Sequence, residues 1–155
     1  MREIEFRGKD LDGVWRHGSL VNNVFFYADT KKGVPYIFDV QDEDYSCLAD
    51  LEDGDGFYEM RKETIGQFTG LHDKNGMKIY EGDIIRTPLG RFVEVRYGRK
   101  EHIVRRTRPA VTDSFMAYGW IVVDVRNECN NDFLDDEICG GEIVGNIFDN
   151  QDLCK

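Results

Sequence analysis

The chain has 155 residues and a formal net charge of −10, from 20 basic and 30 acidic side chains. An acidic balance of that size disfavours wholesale binding to nucleic acid or to an anionic membrane surface, because both carry the same sign of charge. Hydrophobic residues make up 41% and charged residues 32%, which is the composition of a globular protein able to bury a core without a disulfide or metal staple.

The N-terminus, MREIEFRGKD, has no apolar stretch behind its charges and does not read as a signal peptide. No run approaches the roughly 18 apolar residues of a membrane span, so a cytoplasmic location is expected. The four cysteines, Cys47, Cys129, Cys139 and Cys154, form no Cys-x-x-Cys pair, and no histidine lies near Cys129 or Cys139. Zinc-ligand spacing is therefore absent. Free thiols, no bound metal and no cofactor are expected.

Read in chain order, the pattern is that of short strands. Apolar and charged residues alternate in Ile4, Glu5 and Phe6, as a half-buried strand requires. Residues 10 to 13 carry turn chemistry, and residues 14 to 21 return as a second strand. Residues 24 to 27 and 36 to 38 are apolar runs separated by Lys31, Lys32 and Gly33, and they read as a further hairpin. Residues 42 to 59 are acidic and contain no lysine or arginine. Asn75 and Gly76 give a strong tight-turn signal, and Gly82 and Asp83 a second one leading into Ile84 and Ile85. In residues 91 to 97, Val93, Val95 and Tyr97 fall on one face. Residues 120 to 125 are nearly all apolar, as in a strand buried on both faces. In residues 142 to 148, Ile143 and Ile147 share a face with Gly145. No segment of helical length shows a clean 3.6 period, and no internal repeat is present.

Several chemistries fail on spacing. Asp53, Gly54, Asp55 and Gly56 suggest a calcium loop, but with Gly56 at the glycine position the first and twelfth ligands become Leu51 and Lys62. Ser19, Ser46 and Ser114 are the only serines, and none has a Gly-x-Ser-x-Gly context. No catalytic residue is assigned. The glycines of the middle segment, Gly66, Gly70, Gly76 and Gly82, suit successive turns, and Asp73 is placed to accept hydrogen bonds from its own turn backbone.

The one unconventional signal is a reversal of charge. Between positions 86 and 108 lie Arg86, Arg91, Arg96, Arg99, Lys100, Arg105, Arg106 and Arg108, opposed only by Glu94 and Glu101. The segment thus carries +6, leaving −16 for the rest of the chain. These eight residues are the candidate binding residues. Three readings remain open for them: a face neutralised by acids of the same subunit, a contact with a second subunit or another protein, or a single-stranded nucleic-acid site in which Tyr97 and His102 stack on bases.

Three blocks carry a family resemblance: REIEFRGKDLDGVWRHGSLV at 2 to 21, IGQFTGLHDKNGMKIYEGDII at 65 to 85, and EIVGNIFDNQDL at 142 to 153. In order and spacing they resemble the YopX family of phage and prophage proteins. That resemblance implies an SH3-type β-barrel in the C-terminal part and a phage context. It implies no catalytic residues. Some SH3-like barrels of bacterial toxins are ribonucleases, and by that analogy Arg86 with Thr87, or His102 with Arg105 and Arg106, would be cast as the acid, base and cation.

The expected architecture is a mainly-β protein in which an N-terminal β-hairpin module, residues 1–63, packs on an SH3-like barrel, residues 64–155. Ile4, Phe6, Trp15, Ile84, Val93, Val95, Trp120, Val122, Ile143 and Ile147 are expected in the core. The expected function is that of a non-enzymatic phage accessory protein that binds another protein or itself as a homo-oligomer. A nucleic-acid-binding barrel is the first alternative and a ribonuclease-like enzyme the second.

Overall fold

The computed structural model describes residues 3–22, 34–39, 56–107 and 110–154. For residues 22, 102–107, 110–113, 115, 128–130 and 154 it describes the backbone alone. The protein is mainly β, with antiparallel sheets in two compact units, residues 1–70 and 71–155. The division along the chain falls between Gly70 and Leu71. Among the described residues no helix is long and apolar enough to cross a membrane.

The first unit opens with β1 (Phe6–Lys9) and β2 (Trp15–Asn22). Their hairpin is closed by Asp10, whose Oδ1 accepts from the Val14 N–H at 2.8 Å, and by Gly13 at φ 85°. A positive φ is sterically free only for glycine. Strand β3 (Pro35–Phe38) pairs with β2, from Ser19 opposite Phe38 to Asn22 opposite Pro35. The expected partner of that run, residues 24 to 27, lies outside the described residues. Strand β4 (Phe57–Glu59) pairs with β3, and β5 (Gly66–His72), reached through a 3-10 turn at Lys62–Thr64, pairs with β1. The hydrogen-bonded order is β4-β3-β2-β1-β5, and a sixth strand, β6 (Lys78–Tyr80), continues it beside β5. Ile37, Met60 and Phe68 are buried in this unit. A Cβ on Gly8 would stand 3.1 Å from the Met60 sulfur and 3.3 Å from Ile65, so a glycine there lets these side chains close on β1. Ile4 departs from expectation: it precedes β1 and is 66% exposed, because alternation cannot bury a residue that no ladder holds.

The second unit contains β6 (Lys78–Tyr80), β7 (Asp83–Arg86), β8 (Phe92–Thr107), β9 (Ala110–Asp124), β10 (Asn127–Phe133), a single helical turn α1 (Asp136–Cys139) and β11 (Glu142–Asn146). A 3-10 turn at Gln151–Cys154 follows. The turn before β6 is the one signalled by Asn75 and Gly76, with Gly76 at φ 78°. The turn before β7 is held by buried Asp83, whose Oδ2 accepts from the Tyr80 N–H at 2.8 Å. Asp135 caps α1 by accepting from the Ile138 N–H at 3.0 Å. Ile79, Ile85, Val93, Val95, Val122, Leu134 and Ile138 form the core, with Leu71, Trp120, Cys139 and Ile143 packed partly buried against it.

The sheet order in this unit is β10-β9-β8-β7-β11. Among the described residues no ladder joins β10 to β11, so the sheet is open and the expected closed barrel is corrected. Closure requires strands to bend or stagger. Strands β8 and β9 pair without a register shift from Val93 opposite Asp124 to Thr107 opposite Ala110, as one continuous ladder.

Candidate functional site: the β8–β9 ribbon

Strands β8 and β9 are much longer than their neighbours. Strand β7 pairs with β8 only at residues 92 to 94, and β10 pairs with β9 only at residues 121 to 124. From Tyr97 opposite Trp120 outward, among the described residues, the two strands pair only with each other. Over this stretch they form a two-stranded ribbon, from which the Lys100 side chain still reaches β10.

Side chains alternate along a strand, and directly opposed residues share a face. The face that carries Val93, Val95 and Val122 in the core therefore continues outward through Tyr97 and Trp120, then Arg99 and Tyr118, then Glu101 and Met116. Burial falls away along it. Val95 and Val122 are buried, Trp120 is half-buried, and Tyr97, Tyr118 and Met116 are 59%, 69% and 51% exposed. The Tyr97 ring meets Trp120 edge to face at a centroid distance of 5.3 Å. Arg99 and Glu101 are exposed beside these apolar groups.

The opposite face is where the cations find partners. Arg96 clamps Glu94 with two hydrogen bonds of 2.7 and 2.6 Å. The Lys100 ammonium reaches Asp132 at 2.6 Å and the Asn131 carbonyl at 2.7 Å, and lies 5.5 Å from the centre of the Phe133 ring. The bond from Lys100 holds the Asp132 carboxyl below its ordinary range. Nearer the base, Arg86 pairs with Glu142, which Lys74 also approaches at 2.6 Å. The bonds from Lys74 and Arg86 overcome burial and keep the Glu142 carboxyl ionised to lower pH than usual. A shallow hollow of about 290 Å³ lies there, lined by Lys74, Arg86, Thr87, Pro88, Gly90, Gly140 and Gly141.

The eight candidate basic residues are therefore not one patch. Arg86, Arg96 and Lys100 have carboxylate partners within the unit. Arg91 is half-buried and adds a weaker attraction to Asp132, and Arg99 is exposed on the aromatic face. The backbones of Arg105 and Arg106 lie in β8, opposite Thr112 and Val111, and Arg108 lies outside the described residues. Of the ribonuclease candidates, Thr87 is buried and its hydroxyl accepts from the Arg91 N–H at 3.1 Å. The side chain of His102 is outside the description, as are the acidic residues 42 to 55. Among the described residues no three His, Cys, Asp or Glu side chains converge as metal ligands. Burial and the neighbouring Asp136 raise the Cys139 thiol above its ordinary pKa, which keeps it a weak nucleophile.

Sequence reasoning passed over Tyr118 and Met116. The signal was present as the alternation of Met116, Tyr118 and Trp120, whose apolar side chains all fall on one face of a strand.

Fold and site together define a mainly-β protein of two antiparallel units, the second with a two-stranded ribbon and an exposed aromatic face. The chain matches the family model described as YopX protein over residues 36–155, and it belongs to that family. The resembling blocks at 65 to 85 and 142 to 153 lie inside the matched span, and the block at 2 to 21 lies before it. No curated protein matches the chain.

Proposed function

We propose that this protein is a phage- or prophage-encoded accessory factor that works in the host cytoplasm by binding protein, without catalysis, and that the β8–β9 ribbon is its contact surface. The carrying observation is the exposed face of Tyr97, Tyr118 and Met116 on a two-stranded ribbon. Tyrosine, methionine and arginine are the residue types enriched at protein interfaces. A lone two-stranded ribbon is marginal in water, so a partner covering this face adds stability to it. Family membership supports the phage context. The strand order, with the last strand returning beside the first, is compatible with an SH3-type fold opened at one edge.

Single-stranded nucleic acid is the weaker reading. Three of the five cations in the segment with described side chains are ion-paired within the unit, which reduces the charge available to phosphates. The test is quantitative co-purification from lysogenic host cells with wild-type bait and with Tyr118→Ser. Partners recovered with the wild type and lost with the variant support the reading. Equal recovery with both, together with oligonucleotide binding that Tyr118→Ser weakens in fluorescence anisotropy, replaces it with the nucleic-acid reading.

A further inference from the structure

We infer that the partner of the ribbon face is the same face of a second copy of this chain, an inference that rests on the ribbon being the contact surface. The rungs of the face run, from base to tip, Tyr97 with Trp120, Arg99 with Tyr118, and Glu101 with Met116. The face is self-complementary in charge. Consider two ribbons stacked face to face about a two-fold axis lying between them, across the strands, at the level of Lys100 and Ala117. The axis exchanges the second rung with the third. It sets Arg99 of one copy over Glu101 of the other, and Tyr118 of one over Met116 of the other, each pair occurring twice. This is an isologous contact, in which one patch serves both partners.

Each element of that contact is favourable. Arginine and glutamate of opposite sign pair across the axis, and the charges of these three rungs sum to zero although the chain as a whole carries −10. Tyrosine against methionine is a sulfur–aromatic contact. The cations that would repel one another between copies, Arg96 and Lys100, are on the opposite face and held by Glu94 and Asp132. The contact is small. Three rungs on two strands place it at the low end of interface sizes, under about 1,200 Å² in total, where transient contacts fall.

Charge reversal followed by sedimentation of the full chain, from low to high micromolar concentration, tests this. Arg99→Glu places two glutamates over each other at both pairs, and Glu101→Arg places two arginines there. Each alone is expected to weaken the dimer at least about tenfold, a change of about 1.4 kcal/mol. Mixing the two variants restores complementarity and yields a heterodimer. The double variant Arg99→Glu with Glu101→Arg restores the homodimer. Both substituted positions are exposed, so the thermal midpoint of each monomer stays unchanged. A wild type that remains monomeric throughout, or single reversals that leave association unchanged or are not rescued by mixing, overturns the inference. If the wild type is monomeric yet captures a cellular protein in a Tyr118-dependent way, self-association falls and the ribbon remains the contact surface. If Tyr118→Ser changes neither, both fall.

Discussion

The carboxylate of Asp73 accepts a hydrogen bond from the backbone N–H of Ile143 at 3.0 Å, across 70 residues of chain. Its other oxygen accepts from the N–H groups of Asn75 and Met77 at 2.8 and 2.9 Å. One buried side chain thus shapes the turn before β6 and ties it to the edge strand β11. Burial opposes ionisation of this group, and the three backbone donors outweigh it, so the carboxyl lies below its ordinary range.

Asp73→Ala strips an acceptor from three backbone donors. Hydrogen bonds to a charged group contribute about 1.5–3 kcal/mol each at most, and leaving buried donors unmet carries a comparable cost. The second unit is expected to lose about 2–4 kcal/mol of stability, measured by the urea midpoint. Asn75→Ala, at an exposed position of the same turn, is expected to cost under about 1 kcal/mol. Equal losses from the two would mean that the three backbone bonds to the Asp73 carboxylate carry nothing beyond an ordinary exposed turn contact.

The same group sets a pH dependence. Because the folded pKa of Asp73 is lowered, its contribution is present in full above the unfolded value near 4 and is lost as pH falls through the folded value. Asp10 and Asp132 shift in the same direction. Stability is therefore expected to fall below about pH 4, and Asp73→Asn to flatten that fall in urea titrations between pH 3 and 6. A variant with the same slope as the wild type would remove Asp73 from the account.

Gly141 sits where backbone passes closely over backbone. A Cβ there would collide with the Arg86 carbonyl oxygen and stand 2.9 Å from Ile85 Cγ2. Gly141→Ala is expected to destabilise by about 1–3 kcal/mol, the usual cost of overpacking. Gly119 has nothing within 4 Å of its Cβ position, so Gly119→Ala is expected to be neutral or stabilising by a few tenths of a kcal/mol. Chemical denaturation of both variants checks the contrast.

Core truncation separates residues that alternation alone treated alike. Ile85 is fully buried and Ile4 is 66% exposed. Ile85→Ala is expected to cost about 2–5 kcal/mol, and Ile4→Ala to stay within about 0.5 kcal/mol. A large loss at Ile4 in the thermal midpoint would show a contact that the fold does not contain.

Local chemistry was legible in the amino-acid sequence. Turns at residues 10 to 13 and at Asn75 and Gly76, the apolar pairs of Val93 with Val95 and Ile84 with Ile85, and the apolar run at 120 to 125 follow from side-chain period and from glycine's tolerance of positive φ. The family was legible too, because its blocks are contiguous. Tertiary structure decided which strand met which: residues 36 to 38 pair with β2, and the last strand returns to β7. It decided that the sheet stays open, and that Ile4 faces water. It also divided a basic segment that reads as one feature. Alternation sends Arg96 to the face of Glu94 and Lys100 to the same face, from which it reaches Asp132 on the edge strand, and Arg99 to the face of Tyr118 and Met116. Charge along a chain is a sum over neighbours in sequence. A binding surface is a sum over neighbours in space, and only the strand register converts the one into the other.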